Sequence, residues 1–186
     1  MNLNRQKIFK ICLAGMFLAI GWLMPFLTGQ IPEIGNKLSP MHIPVLLSGF
    51  ILGPFYGLGI GFITPITRSL FFGMPPLFPN ALAMAFELAT YGMVSGLLFK
   101  YFYSKNKRNE AVIILTLIIA MISGRIIWGT IQFLLNLIIG NFFTFKMFLN
   151  GSLILAWPGI VVQVILIPVL ISILLRTRVL DNLLGE

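Results

Sequence analysis

An all-α integral membrane protein of six transmembrane helices, with both termini cytoplasmic, is predicted from three observations. Charged residues make up 10% of the chain and hydrophobic ones 58%, where a soluble domain carries about 25% charged residues. Apolar runs recur at about the 20-residue length that a spanning helix needs. The basic residues gather between those runs rather than along them. No Ser/Gly linker, low-complexity tract or repeat divides the 186 residues, so a single domain over 1–186 is expected.

The first span runs from about Ile8 to Leu27. Arg5, Lys7 and Lys10 ahead of it resemble the start of a signal peptide. No small-x-small cleavage site follows, however, and the run passes through Trp22 and Pro25 into Gly29-Gln30-Ile31-Pro32, which marks a retained span. The stretch Ile43–Phe72 holds about 30 residues, many for one crossing and few for two. Gly53-Pro54 interrupts it, and proline at that point breaks or bends a helix. Three more spans follow, about Phe78–Phe99, Ala111–Ile139 and Leu153–Leu175.

Charge decides how Ile43–Phe72 crosses. Two crossings put Arg5, Lys7, Lys10, Lys100, Lys105, Lys107, Arg108, Arg176 and Arg178 on one side and only Lys37 and Lys146 on the other. One crossing would give four basic residues inside and seven outside. The positive-inside rule selects six spans, with the Gly53-Pro54 turn cytoplasmic. The second helix, about Ile43–Leu52, is then short and must be shielded by its neighbours or strongly tilted. Juxtamembrane anchoring to lipid accounts for the net charge of +8 and leaves no case for nucleic acid, since exposed aromatics do not interleave the basic residues. The single cysteine, Cys12, reads as a small apolar residue of the first helix and excludes an internal disulfide or a cysteine metal cluster.

Four ionisable side chains lie within or at the edges of apolar runs: His42, Arg68, Glu87 and Arg125. Each charge in hydrocarbon costs about 2.5–3.5 kcal/mol on insertion scales, so such groups face a cavity or one another. Helix rise places Arg68 ~6 Å, Glu87 ~14 Å and Arg125 ~21 Å from the outer ends of their helices. Arg125, Trp128, Gln132 and Asn136 are spaced three, four and four, which sets an arginine, an aromatic and two amides on one helix face. Asn80 begins the fourth helix, and Trp157 and the deeper Gln163 lie on the sixth. These groups can converge on the outer half of the bundle as the polar lining of a small-molecule site. Plainer roles stay open for each. Glu87 can simply neutralise Arg125 or Arg68, and Arg68 can snorkel to headgroups. His42 fits a boundary position at the outer mouth, and the tryptophans fit an interfacial belt.

Gly15 and Ala19 form a small-xxx-small pair that permits close helix approach, within the protein or with a partner. Gly53, Gly57, Gly59 and Gly61 allow tight packing around the second and third helices. They do not make a phosphate loop, because no Gly-Lys-Ser/Thr follows. There is no His-Glu-x-x-His, no Gly-x-Ser-x-Gly and only one histidine, so no catalytic residue, cofactor or metal is assigned. Ser48 is a lone serine with no histidine expected at its depth. A carboxylate ladder and a matching pair of interrupted helices are both missing, which disfavours an autonomous carrier. An intramembrane enzyme or such a carrier remains the distant alternative to a binding protein without an energy source of its own.

The stretch Ser39-Pro-Met-His-Ile-Pro-Val-Leu-Leu-Ser-Gly-Phe-Ile-Leu-Gly-Pro-Phe-Tyr-Gly-Leu-Gly-Ile-Gly-Phe-Ile-Thr-Pro resembles the substrate-binding (S) components of energy-coupling factor (ECF) transporters. In these an apolar helix ends in a Gly-Pro-x-x-Gly turn. The run Phe71-Phe-Gly-Met-Pro-Pro-Leu-Phe-Pro-Asn-Ala-Leu-Ala-Met-Ala-Phe-Glu-Leu-Ala-Thr-Tyr-Gly is similar to the family's passage from third to fourth helix. The resemblance covers essentially the whole chain. It implies a protein of the bacterial cell membrane that binds one water-soluble vitamin from outside. It also implies delivery by toppling against a transmembrane coupling subunit driven by two cytoplasmic ATPases. Gly15-Met-Phe-Leu-Ala19 matches the family's Ala-x-x-x-Ala docking motif, with glycine in place of the first alanine. Family pockets lie where Glu87, Arg125, Trp128, Gln132 and Trp157 fall. Two cations and one acid favour a carboxylate-bearing ligand, and pantothenate fits best among the family's substrates. A pyridoxine-type or pyrimidine ligand is the alternative, with Glu87 accepting from ring substituents and a tryptophan stacking.

Overall fold

The computed structural model describes residues 3–28, 37–105 and 110–177; the Gly29–Pro32 run and the basic residues Lys107, Arg108 and Arg178 lie outside them. Among the described residues there are six helices of eleven residues or more and no strand. They are α1 (Leu3–Leu23), α2 (His42–Leu52), α3 (Pro54–Phe72), α4 (Leu82–Lys105), α5 (Glu110–Ile139) and α6 (Trp157–Arg176). Four stretches are long and apolar enough to cross a bilayer: Arg5–Leu27, Leu77–Tyr103, Glu110–Ile139 and Trp157–Arg176. The chain is helical and has the character of an integral membrane protein.

α2 rises only about 16 Å, half the thickness of a bilayer core. The shielding expected of so short a helix is present, since every residue of it except Leu47 is buried. It ends at Gly53, whose φ of 94° and ψ of 177° suit glycine and almost nothing else. Pro54 then opens α3, where its missing amide is no loss.

α4 is the centre of the bundle, packed against α2, α3 and α5. α1 lies on α2 and α3, and α6 closes the ring lightly against α5 and α2. At one end the Trp22 indole N–H donates to Thr67 Oγ1 at 2.9 Å, which joins the ends of α1 and α3. Gly21 abuts Thr64 and also Pro44 in the first turn of α2. At the other end Gly96 of α4 abuts the start of α3, and Arg176 lies 3.9 Å from Glu110, so α6 ends where α5 begins. The helices therefore alternate in direction.

Backbones touch at the α2–α3–α4 junction. A Cβ on Gly57 would meet the Gly92 carbonyl and Gly49, and one on Gly61 would meet the Leu88 carbonyl. Of the four glycines read as a packing run, Gly57 and Gly61 serve it, Gly53 makes the turn, and Gly59 faces open space. Around this junction Leu46, Phe50, Leu88, Tyr91, Phe99, Leu117, Ile167 and Ile171 form the core, with the Phe50 and Phe99 rings edge-on at 5.1 Å.

α4 and α6 begin later than the apolar runs suggest, because each is preceded by a widened turn. Ala81 N–H donates to Pro76 O at 2.9 Å and Leu155 N–H to Asn150 O at 2.8 Å. These are i→i+5 bonds of the π type, which occur often at functional sites. Phe78 departs from helical geometry within the first of them (φ −122°, ψ 132°).

Replacing Gly92 with leucine is expected to force α3 and α4 apart at a cost of about 1–3 kcal/mol or more. Gly59→Ala, at an open helical position, is expected to leave stability unchanged or slightly raised. Thermal unfolding in mild detergent, followed by tryptophan fluorescence, checks both.

Candidate functional site

One oxygen organises the interior. Glu87 Oε1, on a residue 1% exposed, lies 3.0 Å from Arg125 Nη1 and accepts a 2.8 Å hydrogen bond from the Tyr91 hydroxyl. His42 Nε2 is 3.7 Å from the same oxygen, beyond hydrogen-bond reach, and both ring nitrogens of His42 lack a partner. Removing one member of a buried ion pair is costly, because the survivor stays desolvated and unpaired. His42, expected at the outer mouth, is enclosed instead. α2 is so short that its first residue already lies level with Glu87.

Rise alone put Glu87 and Arg125 ~7 Å apart in depth. They are level because α5 runs past the start of α4. The same antiparallel register repeats seven residues away, between α5 and the turn that leads into α4, where Gln132 Nε2 donates to Asn80 Oδ1 at 3.2 Å. Asn136 Nδ2 donates to the Gln132 carbonyl at 2.8 Å and to Gln132 Oε1 at 3.1 Å. Two polar rungs thus join the α4 segment to α5, a charged one and an amide one about 10 Å away along the helices. Arg125, Trp128, Gln132 and Asn136 do share one helix face.

Trp128 lies between the rungs, against Gly151 and with its ring centroid 6.1 Å from Phe143 and 6.3 Å from Phe148. Phe148 in turn abuts Gly129 and belongs to the short helix Phe145–Leu149, which Thr144 caps by accepting from Met147 N–H. Below this aromatic shelf a cleft of about 300 Å³ opens between α5, the chain from Phe148 to Leu153 and the first turns of α6. Its walls are almost wholly apolar. The polar residues among those lining it are Arg125 and Ser152.

The remaining expected site residues lie elsewhere. Arg68 sits with its guanidinium 5.3 Å from each of the Phe26 and Phe72 rings and donates to the Trp22 carbonyl, so it ties α3 to α1 and does not meet Glu87. Trp157, at the start of α6, is 62% exposed and has no place in the cluster. Ser48 donates to the Val45 carbonyl at 2.7 Å within its own helix. Gln163 is fully buried with both amide atoms unpartnered. Gly15 and Ala19 are on the outer surface of α1, and a Cβ on Gly15 would meet nothing, so this pair does not pack within the described chain.

Two residues of the site, Tyr91 and Ser152, are not among those expected from the sequence. Tyr91 was findable, four residues after Glu87 and so on its face of α4. Ser152 carried no signal, since it sits in a turn at the very start of the apolar run of the last span.

A family model described as ECF transporter, substrate-specific component, matches residues 9–176, so the chain belongs to that family. Members bind a small ligand and work with a transmembrane coupling subunit and ATPases; they are binding subunits of a transporter and not enzymes. No curated protein matches the chain, and no solved structure does.

Replacing Glu87 with glutamine leaves the Arg125 charge uncompensated and is expected to destabilise the protein by about 3–5 kcal/mol. The double replacement Glu87→Leu with Arg125→Met is expected to recover most of that loss. Unfolding midpoints of the three proteins in one detergent decide it. A wild-type midpoint for Glu87→Gln would show that the pair does not hold α4 to α5.

Proposed function

We propose that this substrate-specific component captures pantothenate from the outer side of the membrane and delivers it with a coupling subunit and two ATPases. The observation that carries the reading is the state of Arg125. Glu87 occupies Nη1, while Nε is buried without an acceptor and Arg125 is among the residues lining the cleft. A carboxylate is the natural complement of an arginine held in this way. His42 stands 3.7 Å from the same Glu87 oxygen, so Glu87 keeps a polar neighbour when Arg125 turns to a ligand. The alternative of a pyridoxine-type or pyrimidine ligand relies on Glu87 as acceptor, yet that carboxylate is already engaged by Arg125 and Tyr91. Gln132, Asn136 and Asn80 supply amides, and Trp128 an aromatic surface, for the outer part of the ligand.

On this reading the single domain crosses the membrane six times, with α2 and α3 as two crossings and both termini cytoplasmic. The alternating helix directions and the basic residues gathered at one end support it. Gly15 and Ala19, on the open face of α1, are the proposed contact with the coupling subunit.

Native mass spectrometry of the protein purified in mild detergent is expected to show stoichiometric pantothenate. Arg125→Ala is expected to weaken binding at least about a hundredfold, as for a desolvated charge pair losing one partner. A pyridoxine-like passenger, or unchanged affinity in Arg125→Ala, sinks the assignment. Topology is checked with single cysteines in a Cys12→Ser background. Positions 37 and 146 should label from outside, and positions 53 and 105 only after the membrane is permeabilised. Labelling of position 105 from outside would reduce α2 and α3 to one crossing.

A further inference from the structure

We infer that Ser152 is a second donor to the ligand carboxylate, and that the ligand binds acid end innermost, with the methylenes beside the carboxylate filling the cleft between α5 and α6. The inference rests on the carboxylate-ligand reading above and adds an orientation and a residue that the sequence did not single out.

Ser152 is 1% exposed, lines the cleft, and its hydroxyl has no partner in the protein. A buried hydroxyl without a hydrogen bond is unfavourable for the empty protein, and such groups are usually explained by a missing partner. Most helical serines answer the need by donating to a carbonyl one turn back, as Ser48 and Ser123 do. Ser152, in the widened turn Asn150–Ile154, does not. The turn places Ser152 among the residues that line the cleft with Arg125, and its hydroxyl, like Arg125 Nε, is enclosed there without a partner. Both groups donate, and among the lining residues they are the polar ones.

The rest of the lining selects the chain attached to the carboxylate. Met121, Ile118, Ile160 and Val164 offer no hydrogen bond to a hydroxyl or amide that left water to enter. A short saturated stem suits them. Pantothenate carries two methylenes between its carboxylate and its amide, and its hydroxyls are at the far end. The amide and hydroxyls then lie outward of Phe148, on the side of Gln132 and Asn136, which are further along α5 than Arg125.

Titration calorimetry of full-length wild type and Ser152→Ala with pantothenate, and with the analogue whose carboxylate is a carboxamide, tests this. Ser152→Ala is expected to lose about ten- to a hundredfold in affinity for pantothenate, the range for a hydrogen bond to a charged group. The carboxamide should bind weakly and alike to both proteins. Without ligand, Ser152→Ala should unfold at or above the wild-type temperature, because the lost hydroxyl had no protein partner. Unchanged pantothenate affinity, or equal loss for both compounds, overturns the assignment of Ser152. Octanoate binding the wild type more tightly than pantothenate also overturns it, by giving the cleft to a fatty acid. If pantothenate fails to bind the wild type at all, the carboxylate reading falls and this inference with it.

Discussion

A carboxylate and a guanidinium buried in an apolar bundle are unfavourable apart and tolerable together, and the rest of this fold is arranged around keeping Glu87 and Arg125 together. The pair needs α4 and α5 in one fixed register. The amide rung of Asn80, Gln132 and Asn136 repeats that register two turns away, which makes a slip of either helix break two sets of contacts at once. Polar pairs between membrane helices are individually modest, averaging about 0.6 kcal/mol where cycles have measured them. Their value here is in specifying which face of α5 meets α4, more than in total stability.

α2 encloses the ion pair on another side. It covers Glu87 with His42, whose Nε2 is 3.7 Å from the carboxylate and whose ring lies 5.5 Å from that of Tyr91. A helix of eleven residues cannot span a bilayer core unaided, and it exposes almost none of itself. The glycines at positions 49, 57 and 92 let α2, α3 and α4 approach until backbones touch, so α2 is enclosed without a layer of side chains between. Small residues serve this purpose in membrane proteins because lipid is as apolar as leucine, and close fit has to supply the attraction.

Much of this was legible from residue types. Four long apolar helices followed from apolar length, and the amphipathic row on α5 followed from its spacing, because a straight helix obeys its period whatever surrounds it. The burial of α2 followed from its shortness. What escaped were features set by where one helix ends against another. Asn80 and Ser152 sit in widened turns that an apolar run does not reveal, and the depth of Arg125 depended on how far α5 overshoots α4. Arg68 was drawn toward the site by its charge alone. The structure instead gives it two aromatic faces and a carbonyl as partners.

The two sides of Arg125 differ in how firmly they are built. Toward α4 it meets a half of the protein in which backbones touch and two polar rungs fix the register. Toward α6 it meets a cleft, an aromatic shelf on a five-residue helix, and a helix that packs only lightly on α5 and α2. Motion follows the weaker seam, since few buried contacts oppose it. On the proposed reading, a ligand taken up beside α6 draws on Arg125 and so on its contact with Glu87, while the glycine-packed α2–α3–α4 junction keeps its shape. Arg125 belongs to both halves, so it is the side chain through which the state of the cleft is felt by the bundle. A subunit that must report occupancy to a partner needs such a residue, and α1, whose open face lies on the rigid α2–α3 side, is where a partner would meet a surface that does not itself deform.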